Sequence, residues 1–365
     1  MTDEEYIKLA INLSKKGSGN VSPNPMVGCV IVKNRKIIGK GYHKKYGEAH
    51  AEINAINSAS TSINNSTVYV TLEPCSIYGN TPPCTDRLIK EKVKRVVVGT
   101  KDPNPLVNGK GIAKLKRANI EVSYSVRENE CKELNEFYNK YIIEKLPYVT
   151  LKAAITLDGK IADEKGNSKW ISSAESRKLV HKLRAKYDAV LIGINTVMKD
   201  DPLLNVRLVK GRNPKRIILD SSLKISIKQK IFNSDGREKV FIVTSTESKK
   251  KLKKINILKN AGANILFVKK DSKGNLNLKS VLMKLAKEKI VSILVEGGSK
   301  VFNSFIKQKL FDEIFLFISP KILGSGLTWA GDLNIADIRK SMNFEIVKSK
   351  KISKDILLKI KIRGK

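Results

Sequence analysis

The sequence predicts an α/β protein built as two successive units, and three observations carry that expectation. At 365 residues the chain exceeds one ordinary domain. Strand-length apolar runs alternate with amphipathic helical stretches, the pattern of sheets covered by helices. Pro147 then interrupts a helical stretch, and a second strand–helix series begins at Tyr148. The boundary falls near residue 146, giving units 1–146 and 147–365.

In the first unit, residues 2–16 read as a helix with Thr2 and Glu5 as a capping box. Tyr6, Leu9, Ala10 and Leu13 form its apolar stripe. Residues 27–32 and 37–41 read as a hairpin across Lys33-Asn34-Arg35-Lys36. A helix over 49–59, a strand over 67–72, a helix over 85–92 and a strand over 95–99 follow. A helix near 109–118, a strand at 120–122 and a long helix over 127–144 close the unit. In the second unit, strands are expected at 149–154, 189–194, 216–220, 240–244, 265–268, 292–295 and 313–318. Helices are expected at 173–186, 278–288 and 299–308, with the lysine-rich stretch 249–254 as a solvated helix face.

Composition narrows the function classes. Apolar residues make up 41% and aromatic ones only 6%, so the cores are mainly aliphatic. No run approaches the ~18 apolar residues of a membrane span. The opening MTDEEYIKLAINLSKKG lacks the basic start and apolar block of a signal peptide, which points to a cytoplasmic protein. In that setting Cys29, Cys75, Cys84 and Cys131 read as metal ligands or buried thiols, not disulfides. The net charge of +35 has two readings. One is a polyanionic partner such as RNA. The other is the codon bias of an AT-rich genome: 13 of the 70 basic residues are Arg, leaving 57 Lys spread with no single basic block. The second reading is preferred, so neither a nucleic-acid nor a membrane partner is expected.

One constellation carries chemistry. His50-Ala51-Glu52 is followed by Pro74-Cys75 and Pro83-Cys84. One imidazole and two thiolates are three strong zinc ligands, and a zinc with three protein ligands keeps a position open for water, as catalytic sites do. Zinc brings the pKa of water towards neutrality. Glu52, two residues from His50 at a helix start, suits a proton shuttle from that water to leaving ammonia. This His-x-Glu and Pro-Cys order is the signature of zinc deaminases, though their usual Cys-x-x-Cys is replaced here by the eight-residue gap SIYGNTPP. Singly, His50 reads as an ordinary histidine and the cysteines as buried thiols. A structural four-ligand zinc would need Cys29 or Cys131, and neither has a suitable spacing.

A second candidate site is Val295-Glu296-Gly297-Gly298-Ser299, which runs from an apolar strand into a helix. Glycines there admit a ligand to the backbone, and a helix N-terminus favours phosphate. A tight turn is the plain alternative; the position at a strand's C-terminal end favours the ligand. With no GxGxxG, a Rossmann dinucleotide fold is not supported. Lys152 interrupts the apolar run LKAAI, which suits either an edge strand or a site. His181 has no evident partner and reads as structural or surface.

The segments SPNPMVGCVIV, GKGYHKKYGEAHAE, YVTLEPCSIYGNTPPCTDRLI and VVVGTKDPNPLVNGKGI resemble the deaminase half of the bifunctional deaminase–reductase of riboflavin biosynthesis. YVTLKAAITLDGKIA, SKWISS, DAVLIGINTVMKDDPLLNVR, RIILDSS and ILVEGGSKVFNSF resemble its reductase half. The resemblance implies a cytidine-deaminase-like αβα domain followed by a dihydrofolate-reductase-like α/β domain. It implies hydrolytic deamination of 2,5-diamino-6-(5-phosphoribosylamino)pyrimidin-4-one with one zinc per chain. NADPH-dependent reduction of the ribosyl group of 5-amino-6-(5-phosphoribosylamino)uracil to ribityl follows. Asn24, His43, Asp102 and Asn104 would hold the pyrimidine nucleotide in the first site. In the second, Lys152 and Glu296 would assist opening of the ribose ring. Ser168, Arg184, Leu204, Arg207 and Glu296 would contact the substrate, the two arginines at its phosphate. Ala154, Trp170, Thr196, Asp200, Ser221, Gly298, Ser299, Lys300 and Val301 would contact NADPH. Family members usually assemble, so a homo-oligomer is expected. The family loop commonly carries His and Arg where this chain has Ile77 and Asn80. The competing readings are an RNA-editing zinc deaminase with an accessory RNA-binding domain, and an inactive zinc-stapled RNA-binding protein. The eight-residue gap, the reductase segments, Glu52 and Lys152 argue against them.

Overall fold

The computed structural model describes residues 1–79, 82–233, 240–331 and 333–362. The chain divides into two compact units, Met1–Leu146 and Pro147–Lys365.

The first unit runs α1 (Asp3–Ser14), β1 (Gly28–Lys33), β2 (Lys36–Tyr42), α2 (Ala51–Asn57), β3 (Thr67–Leu72), α3 (Cys84–Lys90), β4 (Arg95–Thr100), α4 (Lys110–Arg117), β5 (Glu121–Tyr124), α5 (Glu128–Leu134) and α6 (Glu136–Glu144). Its sheet has the order β2-β1-β3-β4-β5. The pairs around β1 are antiparallel and β3-β4-β5 is parallel. Strand residues alternate between two cores, as the two-residue period of a strand requires. Cys29, Ile31, Val68, Val70, Val96 and Val98 meet Ala51, Ala55, Leu88 and Leu115 of α2, α3 and α4. Val30, Val32, Tyr69 and Val97 meet α1 and Cys131 of α5 on the other face. The capping box of α1 is present, with Glu5 N–H donating to Thr2 Oγ1 and Thr2 N–H to the Glu5 carboxylate. Its buried stripe is rotated from expectation: Tyr6, Ile7, Ala10, Ile11 and Ser14 face inward, while Leu9 and Leu13 flank them. Gly28 permits this approach, because a Cβ there would lie 2.0 Å from the Ala10 carbonyl oxygen.

The expected long helix 127–144 is broken at Asn135, at φ −115° and ψ 26°. The physical reason is tertiary. The Asn135 side-chain amide holds the backbone of Met26, accepting from its N–H at 2.8 Å and donating to its carbonyl at 3.0 Å.

The second unit runs β6 (Tyr148–Thr156), β7 (Lys160–Ala162), α7 (Ala174–Lys186), β8 (Ala189–Gly193), α8 (Ile194–Asp200), β9 (Lys215–Leu219), β10 (Val240–Ser245), α9 (Leu252–Asn260), β11 (Ala263–Val268), α10 (Leu278–Lys287), β12 (Ser292–Gly297), α11 (Ser299–Lys307), β13 (Glu313–Ser319), β14 (Leu327–Thr328), β15 (Phe344–Ile352) and β16 (Asp355–Ile362). The main sheet has the order β11-β10-β9-β8-β12-β6-β13-β16-β15. It is parallel up to β13, and β16 and β15 add antiparallel strands at one edge. The strands of the parallel part are mostly apolar, as strands buried on both faces are. The short pair β7 and β14, helix α8 and the hairpin β15-β16 are additional to the elements expected from sequence. The hairpin alternates lysine with aliphatic residues and its outer strand is mostly exposed, so no core pattern marks it. The lysine-rich stretch 249–254 is divided between a single helical turn and the start of α9.

Candidate active sites

The first site lies where β3 and β4 end. His50 occupies the extended residue before α2, and Cys84 opens α3. Cys75 follows β3 by three residues. His50 Nδ1 is 3.6 Å from Cys75 Sγ and 3.3 Å from Cys84 Sγ, and the three donor atoms all lie within 4.8 Å of one another. Two thiols side by side cannot both ionise without a cation between them. Cys75 is accordingly driven down, to about 4, by its hydrogen bond with Cys84 and by His50. Cys84 is driven up by Cys75 and by burial. One imidazole nitrogen and two sulfurs grouped this closely are the donor set of zinc, so these residues fit the metal.

Glu52 lies in the first turn of α2 and is 3% exposed. Burial pushes its carboxyl up to about 7, partly opposed by His50. A carboxyl tuned near neutrality can both take and return a proton. His43 is buried, with Nδ1 3.1 Å from the Ala49 carbonyl and Nε2 3.3 Å from the Asn24 amide. Its ring meets that of His50 edge-on, centroids 5.4 Å apart. Burial lowers its pKa. Asp102 and Asn104 sit on the loop after β4, where the Asp102 carboxylate accepts from Asn104 N–H and from the Tyr138 hydroxyl. Ile77 is partly exposed, while Asn80 lies outside the described residues.

Glu73 is not among the site residues expected from sequence, yet it organises the site. Its buried carboxylate accepts four backbone N–H bonds, from Asp102 and Gly109 at Oε2 and from Gly111 and Ile112 at Oε1. It therefore shapes the 102–112 loop and caps α4 from outside that helix. The available signal was an acidic residue ending an apolar strand, a rare place for an unpaired carboxylate.

In the second unit a cleft of about 1130 Å³ opens at the C-terminal ends of the parallel strands. Lys152 from β6, Glu296 from β12 and Arg184 from α7 converge in it. Lys152 Nζ lies 3.9 Å from Glu296 Oε2. Burial lowers the Lys152 pKa against the pull of Glu296. Burial acts to raise the Glu296 pKa, but the Arg184 guanidinium overrides it and holds the group at about 2. Ala154, Ser168, Trp170, Thr196, Asp200, Leu204, Arg207 and the run Gly298-Ser299-Lys300-Val301 also line the cleft. Gly298 presents bare backbone beside Thr196, whose hydroxyl would lie 3.1 Å from a Cβ there. A long cleft with an open backbone at the start of α11 fits a dinucleotide phosphate.

Three placements differ from expectation. Ser221 is not among the cleft-lining residues; its carbonyl receives Ser245 N–H and lies beside Ser248. The Arg184 fork, assigned to phosphate by sequence, is already engaged by Glu296 and by the Asn205 carbonyl. Arg207 is exposed and makes only one side-chain bond, to Asn205, among those described. His181 does have a partner and is not on the surface. It is buried in the cleft wall, where Nδ1 accepts from Arg207 N–H.

Known families cover these two regions in turn. The cytidine and deoxycytidylate deaminase zinc-binding region matches residues 1–100, and the RibD C-terminal domain matches residues 147–358, more than half of the chain. The chain belongs to the RibD family. The riboflavin biosynthesis protein RibD of Aquifex aeolicus is 46% identical over 357 residues, 98% of this chain and 97% of that one. The Escherichia coli RibD is 38% identical, covering 89% of each chain. Among solved structures, a deaminase/reductase from Thermotoga maritima superposes with a TM-score of 0.87 at 40% identity, covering 99% of this chain and 98% of that one. Acinetobacter baumannii RibD gives 0.89 at 35% identity, covering 99% of both chains. As a RibD, the chain is an enzyme of riboflavin biosynthesis with deaminase and reductase activities, and zinc and NADPH are its cofactors. It pairs a cytidine-deaminase-like domain with a RibD C-terminal domain, both α/β. The RNA-editing alternative is not supported. RibD acts on small molecules, and no helix among the described residues is long and apolar enough to cross a membrane.

Proposed function

We propose that residues 1–146 hydrolytically deaminate 2,5-diamino-6-(5-phosphoribosylamino)pyrimidin-4-one. Residues 147–365 then reduce the ribosyl group of 5-amino-6-(5-phosphoribosylamino)uracil to ribityl with NADPH. One observation carries the reading: His50, Cys75 and Cys84 converge within 4.8 Å beside buried Glu52. The chain is also 40% identical to a Thermotoga maritima protein described as this deaminase and this reductase.

In the first site His50, Cys75 and Cys84 would hold zinc, which supplies Lewis acidity and activation of water at neutral pH. Glu52 takes a proton at its carboxylate from the attacking water and delivers it to the leaving ammonia. Asn24, His43, Asp102 and Asn104 orient the pyrimidine. In the second site the cleft at the start of α11 would hold NADPH, whose chemistry there would be hydride donation to the sugar carbon. Lys152 and Glu296 hold and move protons where the ribose ring opens. Ser168, Leu204 and Arg207 orient the substrate, with the Arg207 fork suited to its phosphate. Arg184 holds Glu296 in its charged form. Ala154, Trp170, Thr196, Asp200 and the start of α11 receive the cofactor. The chain is read as a cytoplasmic homo-oligomer; the resemblance supports the assembly, and four free thiols support a reducing compartment.

A two-step assay on the zinc-loaded chain tests this. Ammonia release from the diaminopyrimidine substrate is expected first, and NADPH oxidation with the deaminated product second. Absence of NADPH oxidation with that product would overturn the second assignment.

A further inference from the structure

The two loops that face the first site are braced from one helical segment. Asn135 stands at the break between α5 and α6 and is 4% exposed. Asparagine before a helix commonly caps it with its side chain, but Asn135 makes no such bond. Its amide instead grips both backbone groups of Met26, at 2.8 and 3.0 Å. Met26 lies two residues from Asn24, whose own amide is 3.3 Å from His43 Nε2. Three residues after Asn135, the buried Tyr138 hydroxyl donates to the Asp102 carboxylate at 3.0 Å. Both braces come from residues beyond 100, where the match to the zinc-binding region ends.

We propose that Asn135 and Tyr138 are positioning residues that together set the Asn24 and Asp102 loops for the pyrimidine nucleotide. The substrate grip of the deaminase is thus governed by the start of α6 and the residue before it, apart from the metal centre. The proposal rests on the reading that Asn24 and Asp102 hold substrate.

Tyr138→Phe removes one hydroxyl and nothing else. In the full zinc-loaded chain it is expected to raise the KM of deamination about 10-fold, the size of one hydrogen bond to a charged group. The kcat should stay within about 2-fold, because the reacting groups are untouched. Zinc content, and NADPH oxidation with the deaminated substrate, should match the parent, which separates the effect from misfolding. Asn135→Ala should raise KM in the same way. Tyr138→Phe combined with Asp102→Ala should raise KM no further than Asp102→Ala alone, since alanine leaves the hydroxyl no acceptor to act through. If Asp102→Ala and Asn24→Ala leave KM unchanged, the substrate-grip reading itself fails. If they raise KM while Tyr138→Phe does not, or if the Tyr138 and Asp102 effects multiply, the brace is overturned.

Discussion

Arg184 clasps Glu296 with two parallel hydrogen bonds, Nε to Oε1 at 2.6 Å and Nη2 to Oε2 at 2.9 Å, and both side chains are buried. The pair keeps a carboxylate charged inside the cleft, 3.9 Å from the Lys152 ammonium. Removing one partner of a buried pair costs about 3–5 kcal/mol, because the other charge stays behind unpaired. Arg184→Met is therefore expected to destabilise the second unit by about that amount and to abolish most reduction. Arg184→Lys keeps the charge but not the fork, so it should fall between. The chain's two tryptophans, Trp170 and Trp329, both lie in the second unit, so thermal unfolding followed by their fluorescence reads its stability. Full reductase activity in Arg184→Met would refute the assignment.

The α/β architecture and the grouping of His50, Cys75 and Cys84 were legible because each depends on local pattern. Apolar runs of strand length announce the sheets, and HAE, PC and PPC bring fixed ligand types in a fixed order. What was not legible depends on distant partners. The helix break at Asn135 is set by Met26, 109 residues away. Glu73 takes its meaning from N–H groups 29 to 39 residues ahead of it. The engagement of Arg184 by Glu296 spans 112 residues. His181 looked partnerless because its donor is a backbone N–H, which no side-chain pattern advertises.

Glu52 and Cys75 should separate proton transfer from metal binding. Glu52→Gln is nearly isosteric and removes only the ability to carry a proton. Zinc content should be retained, deamination should fall by about 10²–10⁴-fold, and reduction should be untouched. Cys75→Ala removes one of three ligands and should lose the metal together with deamination. Zinc analysis per chain, ammonia release and NADPH oxidation decide between these outcomes. Loss of zinc from Glu52→Gln would show that Glu52 supports the metal site.

His181 should make the second unit acid-sensitive. Burial, and then Arg184 and Arg207, hold its pKa down to about 4, whereas an unfolded histidine titrates near about 6.5. Between those values the unfolded chain binds more protons than the folded one. Stability therefore rises with pH, and it is lost as pH falls from about 6.5 towards about 4. In His181→Asn the side-chain oxygen can still accept from Arg207 N–H, but nothing titrates. The fall in tryptophan-monitored Tm between pH 7 and pH 5 should be smaller in the variant than in the parent. Equal falls in both would assign the acid sensitivity to other groups.

Glu73 offers the most demanding test of the first site, because its carboxylate bonds to backbone alone and meets the expected substrate-holding residues only at the Asp102 N–H. Each of its two carboxylate oxygens serves two backbone N–H donors. Glu73→Gln replaces one oxygen with an amide NH₂, which turns two acceptor positions into a donor facing donors. A buried N–H left without an acceptor costs about 1–3 kcal/mol, so a loss of at least about 2 kcal/mol is expected for the first unit. The loop cannot simply close over the gap. Gly111 already packs so tightly on the Pro74 carbonyl that a Cβ would lie 2.1 Å from its oxygen. Movement of α4 would therefore carry Pro74 and the neighbouring Cys75 with it. Deamination should fall, and zinc should be held more weakly against a chelator, while NADPH oxidation with the deaminated substrate stays at the parent level. Glu73→Asp keeps both acceptors but shortens the reach by one methylene, so it should recover only part of the loss. A Glu73→Gln chain with parental thermal stability, chelator resistance and deamination rate would mean that the 102–112 loop is held by other contacts.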